Sequence, residues 1–224
     1  MTKIDNRKNY YIVLDTETCG NIDNGLVYDL GFAVVDKKGN VYETRDFVIY
    51  EIYVGEKELM KTAYYANKLP QYEEELKSGV RKMVKLATAK KELANLCKKY
   101  NVKAIVAHNG RFDYNSLKNT VAHVSNGTEK YFYPYGVEMY DTMKMAQDTI
   151  CKQKTYIRYC NENGYTYGKN NRVRATAEII YRYITGNNTF EERHTGLSDV
   201  MIEKDIFAKC LAQHKRMRKL VFAN

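Results

Sequence analysis

Two carboxylates one residue apart, Asp15 and Glu17, close the run Tyr10-Tyr11-Ile12-Val13-Leu14. On a strand, side chains at i and i+2 leave the same face, so this spacing sets two negative charges side by side. Such a pair is costly to desolvate unless a cation sits between its members. The other reading is a strand end that has reached solvent. A third acid, Asp113, follows His108-Asn109-Gly110-Arg111-Phe112. Taken singly it reads as a helix N-cap, a position Asp favours. A fourth, Asp199, lies five residues after His194 in the stretch from Glu191 to Glu203. If one helix carried both, five steps would set them roughly 140° apart. They converge only with His194 on the loop before the helix, where Gly196 permits a bend.

These residues need elements to position them. The apolar run ending in Asp15 reads as a central strand buried on both faces. Leu26 to Asp36 and Val41 to Tyr50 read as two further strands, joined by the turn Lys37-Lys38-Gly39-Asn40. Glu51 to Ser78 is charged, Tyr-rich and broken by Pro70, a connection with one or two short helices. Helical spacing of apolar residues predicts a helix from Val80 to Tyr100. Val102 to Ala107 is a strand leading into the Asp113 loop, and a helix carrying Leu117, Val121 and Val124 follows. After a brief strand at Val137 to Tyr140, helices are expected at 142–151, 156–163, 174–185 and 198–219. The order specifies a mixed α/β sheet with an antiparallel hairpin.

At 224 residues one domain with a substantial core is expected, with variable segments at 51–78 and 151–174. No window approaches the ~18 apolar residues of a membrane span, so no membrane partner is expected. The polar N-terminus lacks an apolar signal core, and five unpaired-looking cysteines suit reduced thiols; a cytoplasmic location is the expectation. Lys plus Arg number 36 against 27 Asp plus Glu, a net charge of +9 that raises the chance of a polyanionic partner.

Asp-x-Glu on a first strand, His-Asn-x-x-Phe-Asp after a later one and His-x-Gly-x-x-Asp opening a late helix together resemble the DEDDh family of 3′→5′ exonucleases. The resemblance runs from Tyr10 to about Cys210, with one departure, Gly196 where the family usually has Ala. It implies a ribonuclease-H-like fold with a mixed five-stranded sheet. It further implies that Asp15, Glu17, Asp113 and Asp199 hold two Mg²⁺ or Mn²⁺ ions, consistent with hard oxygen ligands. His194 would be the general base, its imidazole pKa near ~6.5 suiting proton removal at neutral pH.

The substrate would be single-stranded DNA or RNA with a free 3′ end. Thr16, Thr18, Asn109 and Phe112 are candidate contacts to the terminal nucleotide, since an aromatic face accepts any base. Lys169, Arg172 and Arg174 form a basic loop that either tracks the backbone or is simply solvated. Asp141 reads as structural. Other readings keep the fold with a different role: a nucleic-acid- or partner-binding module without turnover, or a small-oligonucleotide hydrolase. A polymerase partner or a homodimer is compatible, and the sequence selects neither.

Overall fold

The computed structural model describes residues 4–222; Met1–Lys3, the start of the polar N-terminus, lies outside the described residues. Three long strands come first: β1 (Tyr10–Cys19), β2 (Leu26–Asp36) and β3 (Val41–Ile49). The 51–78 connection follows, with α1 (Tyr50–Tyr53), α2 (Lys57–Met60), a 3₁₀ turn (Ala66–Lys68) and α3 (Leu69–Lys77). Pro70 stands in the first turn of α3, where its missing N–H costs nothing, so it starts this helix rather than breaking one. Next are β4 (Lys82–Val84), α4 (Leu86–Tyr100), β5 (Ala104–Ala107), α5 (Arg111–Val124) and β6 (Glu138–Asp141). The chain continues through α6 (Thr142–Asp148), α7 (Lys154–Glu162), the hairpin β7 (Thr166–Tyr167) and β8 (Arg172–Val173), α8 (Ala177–Thr185) and α9 (Gly196–Ala212).

The main sheet has six strands in the order β4-β3-β2-β1-β5-β6, one more than the sequence predicts. β1 pairs antiparallel with β2 and parallel with β5, so the strand bearing Asp15 and Glu17 is central, as its unbroken apolar run requires. The extra strand lies inside the predicted Val80–Tyr100 helix. Val80 is 75% exposed and Met83 36% exposed, so the apolar residues there belong to no buried helical face. Lys82–Val84 instead pair parallel with Phe47–Ile49 at the sheet edge, and the helix begins at Leu86.

Alternation along β1 divides the core. Ile12 and Leu14 pack with Leu93 and Leu96 of α4 and Leu117 and Val121 of α5 on one face. Val13 packs with Met145, Ile180, Val200, Ile206 and Phe207 on the other. The basic segment 169–174 is the β7–β8 hairpin rather than a loop, and Lys169, Arg172 and Arg174 are exposed. All five cysteines are buried and free. Among the described residues no helix is long and apolar enough to cross a membrane.

Candidate functional site

The acids come together where β1 ends against the starts of α5 and α9. Burial of the opposite faces of β1 fixes the orientation of its polar end. Asp15 and Glu17 leave it on the face covered by α9, while Thr16 turns to the other and donates from Oγ1 to Asp113 Oδ1 at 2.8 Å. That hydroxyl orients a carboxylate of the cluster. The β1–β2 register shifts between Glu17 and Thr18, a bulge of the kind that re-aims side chains at a strand end.

Asp113 is the third residue of α5, not its N-cap. The cap is Gly110, and Asp113 is 2% exposed in the first turn, where the helix dipole favours a negative charge. Asp141 is the residue that caps: its Oδ1 accepts the N–H groups of Met143 and Lys144 at the start of α6, and that of Asn109. Its expected structural role is thereby given a mechanism, the tethering of the loop ahead of Asp113. Asn109 is exposed at φ 62° and Phe112 is half-buried beside it.

Asp199 is brought in by an unusually close approach of α9 to the sheet. A Cβ on Gly31 would lie 2.1 Å from the Leu197 nitrogen, and one on Gly196 would lie 2.6 Å from the Gly31 nitrogen. Alanine at 196 cannot be seated without a backbone shift, so in this chain Gly196 serves contact rather than a bend. The left-handed residue is His194 itself, at φ 52° on the loop before α9, the side of the helix boundary the spacing required. Thr195 is the N-cap residue, but its side chain makes no cap bond. The Gly196 N–H instead donates to Asp29 Oδ2 of β2 at 2.9 Å.

His194 lies with Glu17 and Asp199, one potential ligand atom of each falling within 4.8 Å of the others. Asp199 Oδ1 is buried with no hydrogen-bond partner, an orphaned acceptor where three donors of metal-ligating type meet. Burial pushes Glu17 up to about 9, with the Asp199 charge adding to it. Burial likewise raises Asp199 to about 8 and Asp113 to about 7. Asp15 is driven well above the carboxylate range by burial and then by the charges of Glu203, Asp113, Glu17 and Asp199. Among the described residues none of these acids forms a salt bridge with Lys or Arg. A crowded set of oxygen donors without protein cations fits divalent metal ions, and these residues can hold them.

Three participants lack a counterpart in the sequence reading. Glu203 is 3% exposed, accepts the His108 N–H at 3.2 Å and is the largest charge acting on Asp15. Its signal was available: it sits four residues after Asp199, on the same helix face. Glu192 Oε2 lies 3.9 Å from His194 Nδ1, and burial lifts its carboxyl to about 7. Tyr65, from the turn after α2, stacks on the His194 ring with centroids 4.0 Å apart and planes 8° from parallel. Burial lowers the His194 pKa, which keeps the imidazole neutral and able to accept a proton. The basic hairpin is linked to the site through its exit: His108 Nε2–H donates to the Ala175 carbonyl at 2.7 Å.

No family model matches the chain, and no curated protein matches it by sequence. Solved structures do. The E. coli exonuclease I complex with a dT13 oligonucleotide matches 92% of this chain at 13% identity, with a TM-score of 0.51. Its complex with a 5cy-dT13 oligonucleotide matches 89% at 12% identity and the same score of 0.51. A zinc-bound complex of that enzyme with single-stranded DNA matches 93% at 15% identity and 0.50. The chain spans only 42%, 40% and 41% of those three chains. At such identities the likeness is one of fold: this mixed sheet with flanking helices is ribonuclease-H-like.

Proposed function

We propose that this chain is a metal-dependent 3′→5′ exonuclease that removes nucleoside 5′-monophosphates from single-stranded nucleic acid. The observation that carries the reading is the crowded set of acids that, among the described residues, make no salt bridge to Lys or Arg and that converge with His194 at one end of the sheet. Asp15, Glu17, Asp113 and Asp199 would hold two Mg²⁺ or Mn²⁺ ions. When bound, such a pair supplies Lewis-acid stabilisation of charge developing at a phosphodiester.

The chain's own residues do the rest. His194 removes the proton from the attacking water. Its Nδ1 faces Glu192, which leaves Nε2 to accept that proton. Tyr65 holds the ring in plane from one side. The Thr16 hydroxyl keeps Asp113 turned toward the cluster, and Glu203 anchors the His108 loop through its backbone. Asn109, exposed, and Phe112 and Thr18, partly exposed, would meet the terminal nucleotide. The fold likeness to exonuclease I, seen with single-stranded oligonucleotides, supports this substrate form.

Digestion of matched end-labelled DNA and RNA single strands with Mg²⁺ or Mn²⁺ tests the reading. Shortening from the 3′ end, abolished by EDTA, is expected; undiminished cutting in EDTA, or rapid cutting of circular strands, would refute it. His194→Ala should lower kcat by ~10²–10⁴-fold while strand affinity survives. A folded, metal-saturated variant turning over at the parent rate would remove the base role. A parent protein that binds strands tightly and never shortens them would be a binding module.

A further inference from the structure

An open groove of about 570 Å³ lies between α5, the segment 130–137 and the chain after α9. Its walls are aromatic. Tyr114, the residue after Asp113, stacks on Tyr133 with centroids 5.5 Å apart and planes 3° from parallel, and meets Phe222 edge-on at 4.7 Å. Tyr135 is fully exposed and Tyr131 is 66% exposed. Large aromatic rings left in water at one place on a folded surface mark a binding face.

The charges decide the occupant. Lys118 and Lys130 line the groove, the Arg111 guanidinium sits 5.6 Å from the Phe222 ring, and none of the lining residues is acidic. The acids flanking the 130–137 segment are engaged elsewhere, Glu129 with Lys90 and Glu138 with the Tyr140 hydroxyl. Rings at several points with interleaved cations and no carboxylates match the two components of an unpaired nucleic-acid strand, its bases and its phosphates. The groove adjoins the acids along the chain: Tyr114, in its wall, directly follows Asp113.

We infer that this aromatic and basic groove binds unpaired nucleotides of a single strand, bases on Tyr131 and Tyr135 and phosphates on Lys118 and Lys130, upstream of an end held at the acid cluster. The placement upstream rests on the exonuclease reading; the binding itself does not.

The test is the affinity of 5′-labelled oligothymidylates, 3 to 16 nucleotides long, measured by anisotropy in EDTA so that no strand is shortened. The parent protein should bind more tightly as the strand lengthens. Tyr131→Ala/Tyr135→Ala should weaken the longest strand by about tenfold or more per ring, the scale of base–aromatic stacking. Lys118→Glu/Lys130→Glu should weaken it too and flatten its dependence on salt. All four positions are at the surface, and circular dichroism with thermal melting checks that each variant folds. Parent-like affinity in both variants, or no strand binding by the parent, overturns the groove. A change of oligomeric state in the variants with strand affinity intact would assign the face to a second copy and overturn it equally. Shortening of the same strands with Mn²⁺ is followed in parallel. Variants that lose binding when the parent never shortens a strand would sink the exonuclease and keep the groove; an active parent with tight-binding variants would do the reverse.

Discussion

Two groups of buried acids sit one strand apart on the same sheet, and they are solved in opposite ways. Asp29 of β2 lies in register with Glu17 of β1. Burial pushes Asp29 up, but Arg81 Nη1 binds it at 2.6 Å, the Tyr72 hydroxyl at 2.5 Å and the Gly196 N–H at 2.9 Å, and each pulls it back. The same Arg81 reaches Asp46 at 2.7 Å and Glu75 at 2.8 Å, and its guanidinium carbon lies 4.4 Å from the Tyr72 ring. On β1, at Asp15, the neighbouring charges are Glu203, Asp113, Glu17 and Asp199, all acting in the same direction as burial. Buried charge is tolerated where the chain supplies the opposite charge. Where, among the described residues, no Lys or Arg salt bridge is made, the crowded acids are the basis of the proposed cation site.

The sharpest way to break this contrast is to empty the unpaired group. Asp15→Ala, Glu17→Ala, Asp113→Ala and Asp199→Ala should each lower turnover on the order of 10³-fold or more, because charge stabilisation at the reacting phosphate is lost. Initial rates on a labelled single strand at saturating Mn²⁺ check this; near-parent rates in any of the four would remove that acid from the site.

Next in size is the neutralised group. Arg81→Met should destabilise the fold by ~3–5 kcal/mol, since Asp29 would be left buried and uncompensated. For a chain of this length that is a fall in Tm of about 6–20 °C. Thermal melting measures it, and Asp29→Asn added to Arg81→Met should restore part of the loss. An unchanged Tm would mean that Asp29 is already protonated.

The opposite sign is expected at Glu203. Glu203→Gln keeps an acceptor for the His108 N–H and removes one of the charges crowding Asp15. In EDTA its Tm should rise by about 2–4 °C, the equivalent of ~1 kcal/mol, while the gain on adding Mn²⁺ shrinks. A lower Tm in EDTA would show that Glu203 stabilises as a charge.

The last effect is one of pH. Unfolded carboxyls ionise near pH 4 to 4.5, whereas Glu17, Asp199 and Asp113 keep their protons to about 9, 8 and 7 when folded. The folded state therefore binds more protons between those limits, and metal-free stability should fall as pH rises from about 4.5 to 9. Mn²⁺ should raise Tm most at the upper end, where the carboxylates are free to bind it. Melting curves across that range, with and without EDTA, check both slopes.

What the sequence made legible follows from the same physics. The unbroken apolar run before Asp15 marked a central strand, and period-two geometry put Asp15 and Glu17 on one face. Helical arithmetic placed His194 ahead of α9. By contrast, β4 was hidden because Val80, Met83 and Val84 mimic a helical stripe over a stretch too short for periodicity to discriminate. Asp29 was unreadable as an ion-pair centre: its partner Arg81 arrives from 52 residues away, along a connection without regular pattern. Tyr65 was one tyrosine among 21, and only the path of the connection sets it on the imidazole.

The contact of Gly196 with β2 also orders events in time. Its N–H reaches Asp29 across 167 residues of chain, and with it come Asp199 and Glu203. The strand that offers Asp15 and Glu17 can pair locally with β2 early, but closing a loop of that length is entropically slow and comes late. The proposed cation site is therefore expected to assemble last, by the docking of the final long helix. In refolding, the recovery of Mn²⁺ affinity should lag the recovery of sheet structure, so that cation binding itself reports the moment at which the chain's two ends have found each other.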